Sequence, residues 1–170
     1  KIAVEHGDPE TEGPDKPYFS GSTDIDVAAR RVNTAQVTAH VAKSQTFVRI
    51  TKAFAKFYHD AEFTVTTGSG NEFTFRPDGT GDPERIWVKT GTTLTVSGTA
   101  RSQSQDGEKE GPLYTFPAET LDATVAATCH IFTFDASNAG SASLNIVLGE
   151  GEGETRVIPV ELNEEAISSK

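Results

Sequence analysis

Residues 63–75 read Phe63-Thr64-Val65-Thr66-Thr67-Gly68-Ser69-Gly70-Asn71-Glu72-Phe73-Thr74-Phe75. Phe63 and Val65 alternate with threonines, and Phe73 and Phe75 flank Thr74. Period two is the mark of a strand with one buried face. Between the two runs, Gly68, Gly70 and Asn71 supply the left-handed conformations of a tight turn. The stretch is therefore a β-hairpin, and it sets the pattern for the rest of the chain.

Working back toward the N-terminus, residues 52–60 break the period. Phe54, Phe57 and Tyr58 fall at i, i+3 and i+4, which predicts one short helix that must pack on a sheet. Residues 46–50 and 34–41 alternate, as do residues 23–29, with Ile25 and Val27 opposite Asp24 and Asp26. Residues 7–17 hold three prolines and read as loop. Residues 2–6 form a short strand. Working forward, residues 76–84 form a Gly/Asp/Pro loop, and Ile86 and Val88 mark a short strand. Leu94 and Val96 line one face of the next, which spans residues 92–100. Residues 101–111 are the most polar run. Residues 120–134 read as one long strand, with a change of phase near residues 128–130 that suggests a bulge. Residues 144–148 and 156–162 complete the set, and Pro159 argues for an edge.

Composition agrees. The chain has 22 Thr and 13 Val but 6 Leu among 170 residues. β-Branched residues fit pleated surfaces. The fold class expected is all-β, an antiparallel sandwich of transthyretin-like or immunoglobulin-like type. It is read either as two halves, residues 1–80 and 81–170, or as one continuous domain. Helical crossovers long enough for βαβ units are absent.

The formal net charge of −10 argues against a nucleic-acid surface, which needs clustered Lys and Arg. No segment approaches the length of a membrane-spanning helix. One cysteine rules out a disulfide framework within the chain.

Motifs with chemical potential read mostly as structure. Asp78, Thr80, Asp82 and Glu84 repeat oxygens as calcium loops do, but Pro83 stands where such a loop needs glycine, and no metal is expected. The run of residues 149–153 has a Gly-x-Gly-x-Gly spacing without a following helix, so it reads as a hairpin tip. His6, His40, His59 and His130 show no zinc spacing. Cys129 sits in a Val/Ala/Thr context as a small hydrophobe. Asp24 and Asp26 share a strand face, the default for solvated acids. No catalytic residue and no cofactor is expected. The aromatic residues Trp87, Tyr18 and Tyr114, with Phe19, are the candidate sugar-stacking platform, against the ordinary role of aromatics in core packing.

The order of several features is that of a known family. These are Ile2-Ala3-Val4-Glu5-His6-Gly7, then Pro17-Tyr18-Phe19-Ser20-Gly21-Ser22, the alternating residues 23–29 and 33–41, the aromatic run Phe54-Ala55-Lys56-Phe57-Tyr58, and the hairpin. In this the chain resembles the domain of unknown function 4493 (DUF4493), found in surface lipoproteins of Bacteroides-type bacteria. The resemblance implies a fimbrillin-like, non-enzymatic cell-surface module of adhesion or fimbria-like structure at the outer membrane. It also implies export by an upstream signal segment not present in this chain. Expected partners are other surface proteins, or copies of the chain, joined through an edge strand. A carbohydrate-binding module of a glycan-handling lipoprotein, with Trp87, Tyr18 and Tyr114 as its platform, is the alternative.

Overall fold

The computed structural model describes residues 1–81, 83–103, 111–138 and 141–148. The features read at Asp82, at residues 104–110, and at the tip and strand of residues 149–153 and 156–162 lie outside the described residues. The described elements run β1 (Ile2–His6), β2 (Phe19–Thr23), β3 (His40–Val41), β4 (Ser44–Ile50), α1 (Lys52–Phe57), β5 (Tyr58–Thr67), β6 (Glu72–Phe75), β7 (Ile86–Val88), β8 (Leu94–Ser102), β9 (Leu113–Leu121), β10 (Cys129–Asn138) and β11 (Ser141–Leu148).

Two four-stranded sheets face each other in a sandwich. One has the order β11-β10-β4-β7, the other β6-β5-β8-β9. Each combines strands from both sides of residue 80. A third, three-stranded sheet, β1-β2-β3, forms the N-terminal part.

The hairpin of residues 63–75 forms as its alternation dictates, with Phe63 opposite Phe75 and Val65 opposite Phe73. Period two then sorts side chains by face. Val48, Ile86, Val88, Phe132, Phe134, Leu144 and Ile146 are buried from one sheet, and Phe63, Val65, Leu94, Val96, Ala100 and Phe116 from the other. At the end of this core sits α1. Thr51 caps it, its hydroxyl accepting from the Phe54 N–H at 3.1 Å and donating to Asp135. Phe54 is fully buried between the sheets, with ring centroids 5.8 Å from Phe116 and 6.4 Å from Phe134. Phe63 and Phe134 stack across the sheets at 3.8 Å.

Three local readings change. Of the alternating residues 23–29 and 34–41, only Thr23 in β2 and His40 and Val41 in β3 belong to strands. The pairing of β3 with β2 is confined to Phe19↔Val41 and Ser20↔His40, and the other alternating residues have no ladder partner among the described residues. The apparent bulge in residues 120–134 is a chain turn between β9 and β10, with Ala127 at φ 55°. Finally, β4 and β10 pair in parallel, Gln45 opposite Cys129 through Ile50 opposite Phe134. The crossover that parallel strands require is supplied by the whole facing sheet instead of a helix.

Candidate functional site

The N-terminal sheet departs most from the sandwich. All five residues of β1 are exposed, and among the described residues the strand pairs along one side, with β2. Ile2 and Val4 are 38 % and 39 % exposed. Register places Ile2, Val4 and His6 on the same face as Phe19 and Val41, while Ala3 and Glu5 share the other face with Ser20 and Ser22. Of the other described edges, β11 spans eight residues, whereas β6, β7 and β9 are blunted. β6 has four residues and β7 three. β7 is closed further by Gly13, whose N–H and carbonyl each bond Trp87 at 2.9 Å. β9 carries Pro117, which cannot donate to a new strand.

The proline-rich residues 7–17, read as loop, form a strap fastened to the sandwich. Lys43 is 2 % exposed, and its ammonium donates to the carbonyls of Asp8 (2.6 Å), Thr11 and Lys16 (3.1 Å). Burial pushes its pKa down, against the pull of the Asp8 and Glu12 carboxylates. Glu12 ties both sheets together. One carboxylate oxygen accepts from the Lys89 N–H at 2.9 Å, the other from Thr67 at 2.7 Å and Asn71 at 2.8 Å. Burial raises the Glu12 pKa, but these donors outweigh it and hold the carboxyl below its ordinary range. Lys89 reaches Glu10 at 2.6 Å. The strap closes at Gly7, whose φ is 92° and where a Cβ would lie 2.2 Å from the Pro17 carbonyl oxygen.

The candidate aromatic residues divide between these parts. Trp87 lies on β7 between buried Ile86 and Val88, so its half-buried ring faces away from the core. It borders a hollow of about 200 Å³ with Val41, Lys43, Gln45, Thr128 and Cys129. Gln45 stands opposite both Trp87 and Cys129, so the three form one row across the sheet. Tyr114 is on the facing sheet, edge-on to Tyr58 at 5.5 Å. Tyr18 is half-buried ahead of β2, its carbonyl accepting from the Ala42 N–H at 2.9 Å, and Phe19 faces His6 with ring centroids 6.3 Å apart.

A larger cleft, about 510 Å³, opens where β5 bulges between His59 and Glu62. Asp60 there adopts φ 51°, rare for a residue with a Cβ. His59 Nδ1 lies 2.9 Å from Asp60, and Arg76 pairs with Glu62 at 2.6 Å. Asp78 accepts from the Thr80 N–H at 2.8 Å, an Asx turn at the start of the run with calcium-like oxygen spacing. Among the described residues no three His, Cys, Asp or Glu side chains converge as metal ligands. His130 is fully buried and accepts the Val125 N–H at 3.0 Å, while Cys129 has its thiol pKa raised by burial.

The profile of a single family, described as a domain of unknown function (DUF4493), matches residues 1–164. The chain belongs to the DUF4493 family. No curated protein and no solved structure matches it. In this DUF4493 chain, sequence reading missed Lys43 and Glu12. Their partners lie 27 to 35 and 55 to 77 residues away, several of them backbone atoms that carry no sequence signal. The bulge cleft had one signal: His59-Asp60-Ala61-Glu62 interrupting an aromatic and β-branched run.

Proposed function

We propose that this DUF4493 chain is a non-enzymatic cell-surface module of adhesion or fimbria-like assembly, docking to another protein through β1. The observation that carries the reading is the outer side of β1, unpaired among the described residues, beside half-exposed Ile2 and Val4, while β6, β7 and β9 are short, covered or interrupted by proline. The sandwich supplies a stiff mount, and the strap held by Lys43 and Glu12 fixes the N-terminal sheet upon it. The resemblance to surface lipoproteins supports a location at the outer surface.

A second reading, a carbohydrate-binding module, is favoured by the half-buried Trp87 ring beside Gln45 and Thr128 at a hollow. An array of matrix proteins, surface proteins and glycans separates the two, run with the chain, Val4→Pro and Trp87→Ala. Protein binding lost in Val4→Pro and kept in Trp87→Ala is the expected result. Glycan binding lost only in Trp87→Ala installs the second reading, and silence across the array overturns both.

A further inference from the structure

The five residues Lys1-Ile2-Ala3-Val4-Glu5 are complementary to themselves when laid antiparallel. With Ala3 opposite Ala3, Lys1 faces Glu5 at both ends, and Ile2 faces Val4 twice. We propose that the partner taken by β1 is a second copy of this chain in that register, joining two three-stranded sheets into one of six strands. The inference rests on the edge-strand reading and names its occupant.

Three observations support it. The edge is open, since β1 pairs with β2 alone among the described residues. The apolar side chains are half-exposed and unshared, Ile2 at 38 % and Val4 at 39 %. The register is also selective. Directly opposite residues of antiparallel strands share a face, so this alignment puts Ile2 and Val4 of both copies on one side, continuous with Phe19 and Val41. Sliding by one residue puts Ile2 opposite Glu5 and turns the two apolar faces to opposite sides. Sliding by two leaves Lys1 unmatched and sets Ala3 against Glu5. The arrangement is two-fold symmetric, so each contact occurs twice and the assembly closes as a dimer. A residue preceding Lys1 would face His6 of the second copy, so the register does not depend on Lys1 being terminal. Five residues a side make a small interface, which belongs to the weak, transient class.

A cysteine scan reads such an association covalently. In a Cys129→Ser background, Ala3→Cys is expected to form disulfide dimers about tenfold faster than Val32→Cys, a fully exposed loop control, because paired strands raise the effective thiol concentration. Ile2→Cys alone stays at the control rate, whereas Ile2→Cys mixed with Val4→Cys cross-links as fast as Ala3→Cys. With Ala3→Cys as reporter, Lys1→Glu or Glu5→Lys slows dimer formation about threefold or more, and the double reversal restores it. Equal rates for Ala3→Cys and Val32→Cys overturn the self-pairing. If Val4→Pro still abolishes binding of a different protein on the array, the edge-strand reading stands without it. If neither effect is seen, both fall.

Discussion

The Lys43 ammonium donates to the carbonyl oxygen of Asp8 at 2.6 Å, across 35 residues of sequence, and to two further carbonyls of the same strap. A buried cation satisfied by main-chain oxygens acts as a clasp for a segment with little regular structure of its own.

Removing that clasp leaves three carbonyls without their donor. Lys43→Met keeps most of the stem's volume and is expected to cost about 3 kcal/mol, the scale of charge-assisted bonds lost in a buried site. Urea unfolding measures the cost. Faster hydrogen exchange at Gly13 and Trp87, which bridge the strap to β7, shows that the strap is what loosens.

His130 makes the fold sensitive to mild acid. Burial holds its pKa below the ordinary 6.5, and protonating Nε2 forfeits the bond from the Val125 N–H. The unfolded chain binds the proton first, so the stabilisation is complete above pH 6.5 and declines as pH falls toward the lowered native value. Glu12, also lowered, adds a separate loss below its ordinary 4.5. Denaturation midpoints between pH 7 and 5 are expected to fall for the native chain (about the range where histidine titrates) and to flatten in His130→Gln.

Gly98 is fixed by its neighbours. A Cβ there would lie 2.3 Å from the Phe63 ring and 2.5 Å from the Glu62 carbonyl oxygen. Gly98→Ala is expected to destabilise by about 1–3 kcal/mol, as overpacking does, with the shift read in the thermal midpoint.

Phe54 is the aromatic plug at the end of the core. Phe54→Ala removes contacts with Tyr58, Phe63, Phe116 and Phe134 together, and is expected to cost about 3–5 kcal/mol in chemical denaturation. Lys56→Ala, on the same helix but outside the core, serves as the matched control and shifts stability little.

The sequence made legible whatever is written in local period. The hairpin of residues 63–75 and α1 could be read because alternation, turn glycines and an i, i+3, i+4 stripe are short-range signals. Residues 24–29 and 34–39 were misread as strand for the same reason. Alternation states what a strand would bury but not whether a neighbour is there to pair. The parallel partnership of β4 with β10 was invisible, since nothing in residues 44–50 names residues 129–134. Trp87 and Tyr114 looked like members of one platform because composition counts aromatics without assigning them to sheets. Lys43 and Glu12 escaped because a charged residue bonded to backbone looks, in sequence, like any solvated one. Docking through an edge strand was expected without a place in the chain, and only the register shows which side chains β1 offers.

The parallel pairing of β4 and β10 also carries a temporal consequence. A central strand of one sheet, β4, meets its main neighbour 84 residues later, whereas β5 and β6 close a turn of a few residues. High separation between contacting strands slows folding, because the loop must close before the contact rewards it. During synthesis, the β5–β6 hairpin is therefore ready first, and β4 waits with Val48 uncovered until residues 129–134 arrive.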